Sequence, residues 1–78
     1  MINLQETLAD IAKAIVDTPE AVKVAMTEDD KHINLTLTVA PDDMGMVIGR
    51  HGKIAKAIRT VIKAASVNTG KKVNVEIQ

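Results

Sequence analysis

The spacing of hydrophobic positions changes three times along the chain, and each change marks a new kind of element. Leu4, Leu8, Ile11 and Ile15 recur on one side of a helical wheel, which predicts an amphipathic helix from Asn3 to Val16. Asn3 supplies the side-chain oxygen of an N-cap, Glu6 sits three residues on for a reciprocal cap, and Asp17-Thr18-Pro19 stops the helix. The period then drops to two. Val22, Val24 and Met26 alternate with Lys23, Ala25 and Thr27, and Ile33, Leu35, Leu37 and Val39 alternate with Asn34, Thr36 and Thr38. Two half-buried strands are predicted, joined by the polar link Glu28-Asp29-Asp30-Lys31 as an antiparallel hairpin.

Ala40-Pro41-Asp42-Asp43 breaks the second strand, and either aspartate is placed to cap a short helix from Met44 to Ile48. A longer helix runs from Lys53 to about Val67, with Ile54, Ile58, Val61, Ile62 and Ala65 expected inward and Lys53, Lys56, Arg59 and Lys63 outward. Asn68-Thr69-Gly70 ends it. Lys72 to Ile77 returns to period two, with Val73, Val75 and Ile77 inward. The predicted order is helix, strand, strand, helix, helix, strand, an α+β domain occupying residues 1–78 as one unit.

Between the last two helices lies Val47-Ile48-Gly49-Arg50-His51-Gly52-Lys53-Ile54. Glycine has no Cβ, so Gly49 and Gly52 would let another molecule's backbone come close to the main chain. The free N–H groups of the following helical turn carry partial positive charge and favour an anion there. Arg50, His51 and Lys53 add donors and charge, and a guanidinium matches a phosphate with two parallel hydrogen bonds. The alternative is a plain tight turn between helices.

Charge distribution separates the two. The formal net charge is zero, yet residues 1–43 hold nine acids against three bases, a net of −6, and residues 44–78 hold seven bases against one acid, a net of +6. One part of the surface attracts a polyanion and another repels it. The chain has no Phe, Tyr or Trp, which excludes the aromatic platforms on which many proteins stack unpaired bases. A single-strand binder of this composition must rely on an aliphatic groove, backbone groups and charge.

The segment Val47-Ile48-Gly49-Arg50-His51-Gly52-Lys53-Ile54-Ala55-Lys56-Ala57-Ile58-Arg59-Thr60 resembles the signature of KH domains, with Val47, Ile48, Gly49, Gly52 and Ile58 at its fixed positions. KH domains clamp about four nucleotides of single-stranded nucleic acid with such a G-x-x-G loop. The element order is similar to the type II KH arrangement, three helices on one face of a three-stranded mixed sheet. Within that group the chain looks most like the small stand-alone bacterial KH proteins called KhpA, and the resemblance spans essentially all 78 residues. It implies cytoplasmic single-stranded RNA binding through Val47, Ile48, Gly49, Arg50, His51, Gly52, Lys53, Ile54, Lys56, Ile58 and Arg59. It also implies a homodimer, pairing with a larger KH-containing RNA-binding protein, and post-transcriptional control or RNA chaperoning linked to cell elongation and division. Met46 and Ile54, beside the loop, are the candidate dimer contacts. The rival expectation is a protein-interaction adaptor that keeps the KH fold.

Other chemistry finds no support in the residues. A nucleotide-hydrolysing loop needs Gly-Lys followed by Ser or Thr, preceded by a glycine five positions earlier, where this chain has Ile54 and Val47. His32 and His51 are the only imidazoles, there is no cysteine, and neither His has a partner at ligand spacing, so no metal or cofactor is expected. The acid pairs Asp29-Asp30 and Asp42-Asp43 fit turn and cap chemistry better than catalysis. No secretory signal or membrane span is predicted, consistent with a soluble protein.

Overall fold

A computed structural model describes residues 3–78. Six principal elements follow in chain order: α1 (Leu4–Ile15), β1 (Lys23–Glu28), β2 (His32–Thr38), α2 (Met44–Ile48), α3 (Lys53–Ala65) and β3 (Lys72–Ile77). Single-turn 3-10 segments punctuate them at Pro19–Ala21, Pro41–Asp43, Arg50–Gly52 and Val67–Thr69. The sheet order is β1-β2-β3. β1 pairs with β2 antiparallel and β2 with β3 parallel, Leu35 lying opposite both Met26 and Val75.

Alternation on the central strand decides which face is covered. Ile33, Leu35 and Leu37 of β2 are buried with Leu4, Leu8 and Ala12 of α1, Val47 of α2 and Ile58 and Ile62 of α3. Three helices therefore share one face of the sheet, as the element order implied. The opposite face is polar, and there Asn74 Nδ2 donates to Asn34 Oδ1 at 3.0 Å across β2 and β3. Full burial of a side chain such as Leu8, Leu35 or Ile62 is worth roughly 1.5–3 kcal/mol.

Several expectations change in detail. α3 ends at Ala65 rather than near Val67, because the Ser66 side chain donates to the Lys63 carbonyl at 2.9 Å and draws the backbone into a tighter turn. Val61 is 49% exposed and Ile54 38% exposed; both sit on the flank of α3, while Ala55 takes the inward place. β1 is an edge strand with only Val24 half-buried. Met26 is exposed because it lies in a shallow depression where α1 begins and α3 ends, lined also by Gln5, Ala65 and Asn68. Asn3 caps α1 as expected, its Oδ1 accepting from the Glu6 N–H at 3.1 Å. Among the described residues the Glu6 carboxylate makes no return bond.

Asp43 does not cap α2. It is buried, and its Oδ2 accepts from the Thr18 N–H at 3.0 Å, tying the loop after α1 to the start of α2.

Candidate nucleic-acid interface

The loop after α2 is shaped by three departures from ordinary backbone within four residues. Gly49, with φ 75° and ψ 176°, lies in a region open essentially to glycine alone. His51 (φ 59°, ψ 25°) and Gly52 (φ 73°, ψ 15°) are left-handed. The Gly49 N–H still donates to the Gly45 carbonyl at 2.9 Å, closing α2, and the Gly52 N–H donates to Gly49 O at 3.2 Å, closing the turn. His51 is the one non-glycine residue with positive φ among the described residues. Its exposed side chain is carried at the tip of the loop beside that of Arg50.

The two glycines do different jobs. Nothing lies within 4 Å of where a Cβ on Gly52 would sit, so that side of the loop is open to another molecule. At Gly49 the same position is filled. A Cβ there would overlap Ile54 Cγ1 and come within 2.9 Å of Ile54 Cβ and 3.0 Å of Ile54 N. The expectation that both glycines leave room for an incoming backbone thus holds geometrically at Gly52, whereas Gly49 lets the loop lie against the first turn of α3.

The helix that follows has three sides. Ala55, Ile58 and Ile62 face the core. Lys56, Arg59 and Lys63, at i, i+3 and i+7, form an exposed basic flank. Arg59 Nε donates to the Val75 carbonyl at 3.3 Å. Lys72 N and Gln78 N donate across to the β2 side, to Lys31 O at 2.9 Å and Leu37 O at 2.8 Å. By alternation the backbone groups of Val73, Val75 and Ile77 point to the open edge of β3, and Arg59 links that edge to α3. The opposite flank carries Ile54, Ala57, Val61 and Ala64, all exposed.

Gly52 has no side chain with which to cap α3, which leaves the first-turn N–H groups directed at the loop. Arg50, His51 and Lys53 are exposed around them. Among the described residues the carboxylate contacts with basic side chains lie at the hairpin end, Glu28 with Lys71 and Asp29 beside His32, so the charges beside the loop are not neutralised by a carboxylate. Ile48 and Met46 are exposed on α2, while Val47 and Ile58 are buried in the core. The structure brings Met46, Ile48 and the residues from Gly49 to Ile54 to the N-terminal end of α3; Lys56 and Arg59 lie further along the helix toward β3, and Val47 and Ile58 are in the core. Sequence reasoning missed the Gly49 to Ile54 packing, the Asp43 tie and the Val75 carbonyl; each depends on tertiary placement and leaves no local signature.

Comparison with known proteins gives a consistent result. The family model described as "KhpA/KhpB, KH domain" matches residues 5–77. A Clostridium acetobutylicum protein named RNA-binding protein KhpA is 54% identical over 74 residues, covering 95% of this chain and 99% of the relative. Proteins of the same name from Caldanaerobacter subterraneus and Listeria monocytogenes are 51% and 42% identical, over 92% and 95% of this chain and 96% and 97% of their own lengths. Among solved structures, Era in complex with MgGDPNP and a segment of 16S ribosomal RNA superposes with a TM-score of 0.70 at 17% identity, over 95% of this chain and 28% of that one. That likeness concerns the fold.

Proposed function

The chain belongs to the KhpA/KhpB KH-domain family, and from that premise we propose that it binds single-stranded RNA in the cytoplasm as a single KH unit with low sequence specificity. The observation that carries this reading is the loop Gly49-Arg50-His51-Gly52, held open at Gly52 and set on the N-terminus of a helix whose exposed bases have no carboxylate partners among the described residues. Phosphates would lie along Gly49, Arg50, His51, Gly52 and Lys53. Ile48 offers aliphatic surface for bases, Ile54 backs the loop at Gly49, Val47 and Ile58 lie in the core under α2 and α3, and Lys56 and Arg59 extend the positive surface toward β3. Post-transcriptional control or RNA chaperoning, linked to cell elongation and division, is the role the family resemblance suggests for such a binder. The reading needs neither a catalytic group nor a metal.

Self-association is the second part of the proposal. The flank Ile54, Ala57, Val61 and Ala64 is exposed and uncharged, and its alanines allow a second helix to approach closely. A homodimer formed on this flank, with Met46 at its edge, would present two clamps to one strand and raise avidity about two to four orders of magnitude when both engage. The same flank would serve pairing with a larger KH-containing RNA-binding protein. No helix among the described residues is long and apolar enough to cross a membrane.

Titration of labelled single-stranded RNA at several salt concentrations, with light scattering on the same samples, tests both parts. Each phosphate neutralised contributes about −0.7 to the slope of log affinity against log salt, so three or four contacts give a slope of roughly −2 to −3. A slope near zero contradicts the RNA reading, and a monomeric mass at high micromolar concentration contradicts self-association.

A further inference from the structure

Ile54 belongs to two surfaces. Its Cβ and Cγ1 occupy the space a Gly49 side chain would need, so the loop backbone lies directly on it. Its outer side is 38% exposed at the head of the apolar flank that continues through Ala57, Val61 and Ala64. The side chain that backs Gly49 is therefore also part of the flank that a partner would cover. We propose that clamp and flank are energetically coupled through Ile54, so that self-association pre-organises the RNA clamp and RNA in turn tightens the dimer. This inference rests on the self-association reading above.

The direction of the coupling follows from what each event orders. Gly49 sits in a region of conformational space that few residues share, and Ile54 at its back limits how far the loop can relax. In a monomer the outer side of Ile54 faces water, so its Cγ1 arm, the part nearest Gly49, keeps the freedom of movement that χ1 and χ2 allow, while its Cβ and backbone N stay fixed by the helix. A second copy packed on Val61 and Ile54 fixes that arm before RNA arrives. RNA then meets a loop whose ordering cost is already met, which is positive cooperativity without a large change of shape. Fixing one isoleucine rotamer sets the scale at roughly a two- to fivefold gain in affinity per clamp. Thermodynamic reciprocity requires each bound strand to tighten the dimer by the same factor. Ile54 is thus a positioning residue for the clamp as well as an interface residue.

The test needs a ligand too short to join two clamps, so that avidity does not enter. A labelled uridine tetranucleotide serves, matching the about four nucleotides one clamp holds. Its affinity is measured for the parent protein and for Val61→Asp, which places a charge on the flank one helical stretch away from the loop. Light scattering is run on both. The proposal expects a dimeric parent, a folded monomeric Val61→Asp, and a two- to fivefold weaker tetranucleotide affinity in the variant. A dimeric parent and a monomeric variant with equal affinities would overturn the coupling while leaving the dimer intact. A monomeric parent would overturn the self-association reading and the coupling with it. Diluting the parent through its own dimer dissociation range gives the same comparison without a mutation: affinity should fall by that factor on dilution, and constant affinity across the transition refutes the proposal.

Discussion

At the scale of single residues, the loop between α2 and α3 depends on two glycines for opposite reasons. Gly52→Ala places a methyl in open space but forces a left-handed backbone on an L residue, a cost of about 1–2 kcal/mol. Gly49→Ala adds overlap with Ile54 to a backbone region still less accessible, and the two effects together cost about 2–5 kcal/mol. Urea denaturation of the two variants should rank them in that order, with Gly52→Ala still folded yet weakened in RNA binding because its methyl projects where the strand approaches. Equal loss of stability would show that the Ile54 contact is not the constraint at Gly49. The loop and the bases around it were legible in the sequence from the glycine spacing and the clustered charge, because those are local features. The partition of roles between the glycines was not, since it depends on which way a Cβ would point. Val61 misled for a related reason: apolar residues at helical spacing mark a broad side, and only the packing of α3 on the sheet shows where that side meets solvent.

At the scale of elements, two carboxylates hold connections that periodicity leaves blank. Asp29 Oδ1 accepts from the N–H groups of Lys31 at 2.8 Å and His32 at 2.7 Å, which organises the turn from β1 into β2. These backbone donors hold its carboxyl below the usual aspartate range. A lowered folded pKa means that the turn's contribution is complete above the unfolded value of 3.8 and is lost as pH falls through the folded one. Thermal melts of the parent and Asp29→Asn from pH 5 to about pH 2 should therefore converge toward the acid end, and a constant gap would contradict the assignment. Asp43 joins elements distant in sequence. Asp43→Ala leaves the Thr18 N–H without its acceptor and should cost about 1–3 kcal/mol by urea denaturation; an unchanged midpoint would remove its structural role. The elements themselves were readable, because α1, β2, α3 and β3 each keep one hydrophobic period from end to end. Asp43 was read as a cap because its residue type and place before a helix fit that role, and the choice of Thr18 as partner is made only when α1 and α2 meet.

At the scale of the whole molecule, the division of charge along the chain becomes a division of surface. Arg50, Lys53, Lys56, Arg59 and Lys63 gather around the loop and along α3, whereas Lys71 and Lys72 sit at the hairpin end, and the acids of the first half lie on α1, the hairpin turn and the connecting loops. On the proposed reading, RNA would be attracted to one end and flank of the protein and discouraged from the rest, with charge orienting the strand and the glycine loop holding it. The central claim is that the Arg50-His51 tip is where phosphate is held. It is tested most directly by replacing Arg50 and His51 together with aspartate and measuring RNA affinity alongside the circular dichroism melt of the same preparation. Both side chains are exposed at a loop tip, so the melt should stay within a few degrees of the parent's. Two acids set where the strand must approach should reduce binding at least a hundredfold, about 3 kcal/mol. A variant that melts like the parent and binds RNA as tightly would contradict the account.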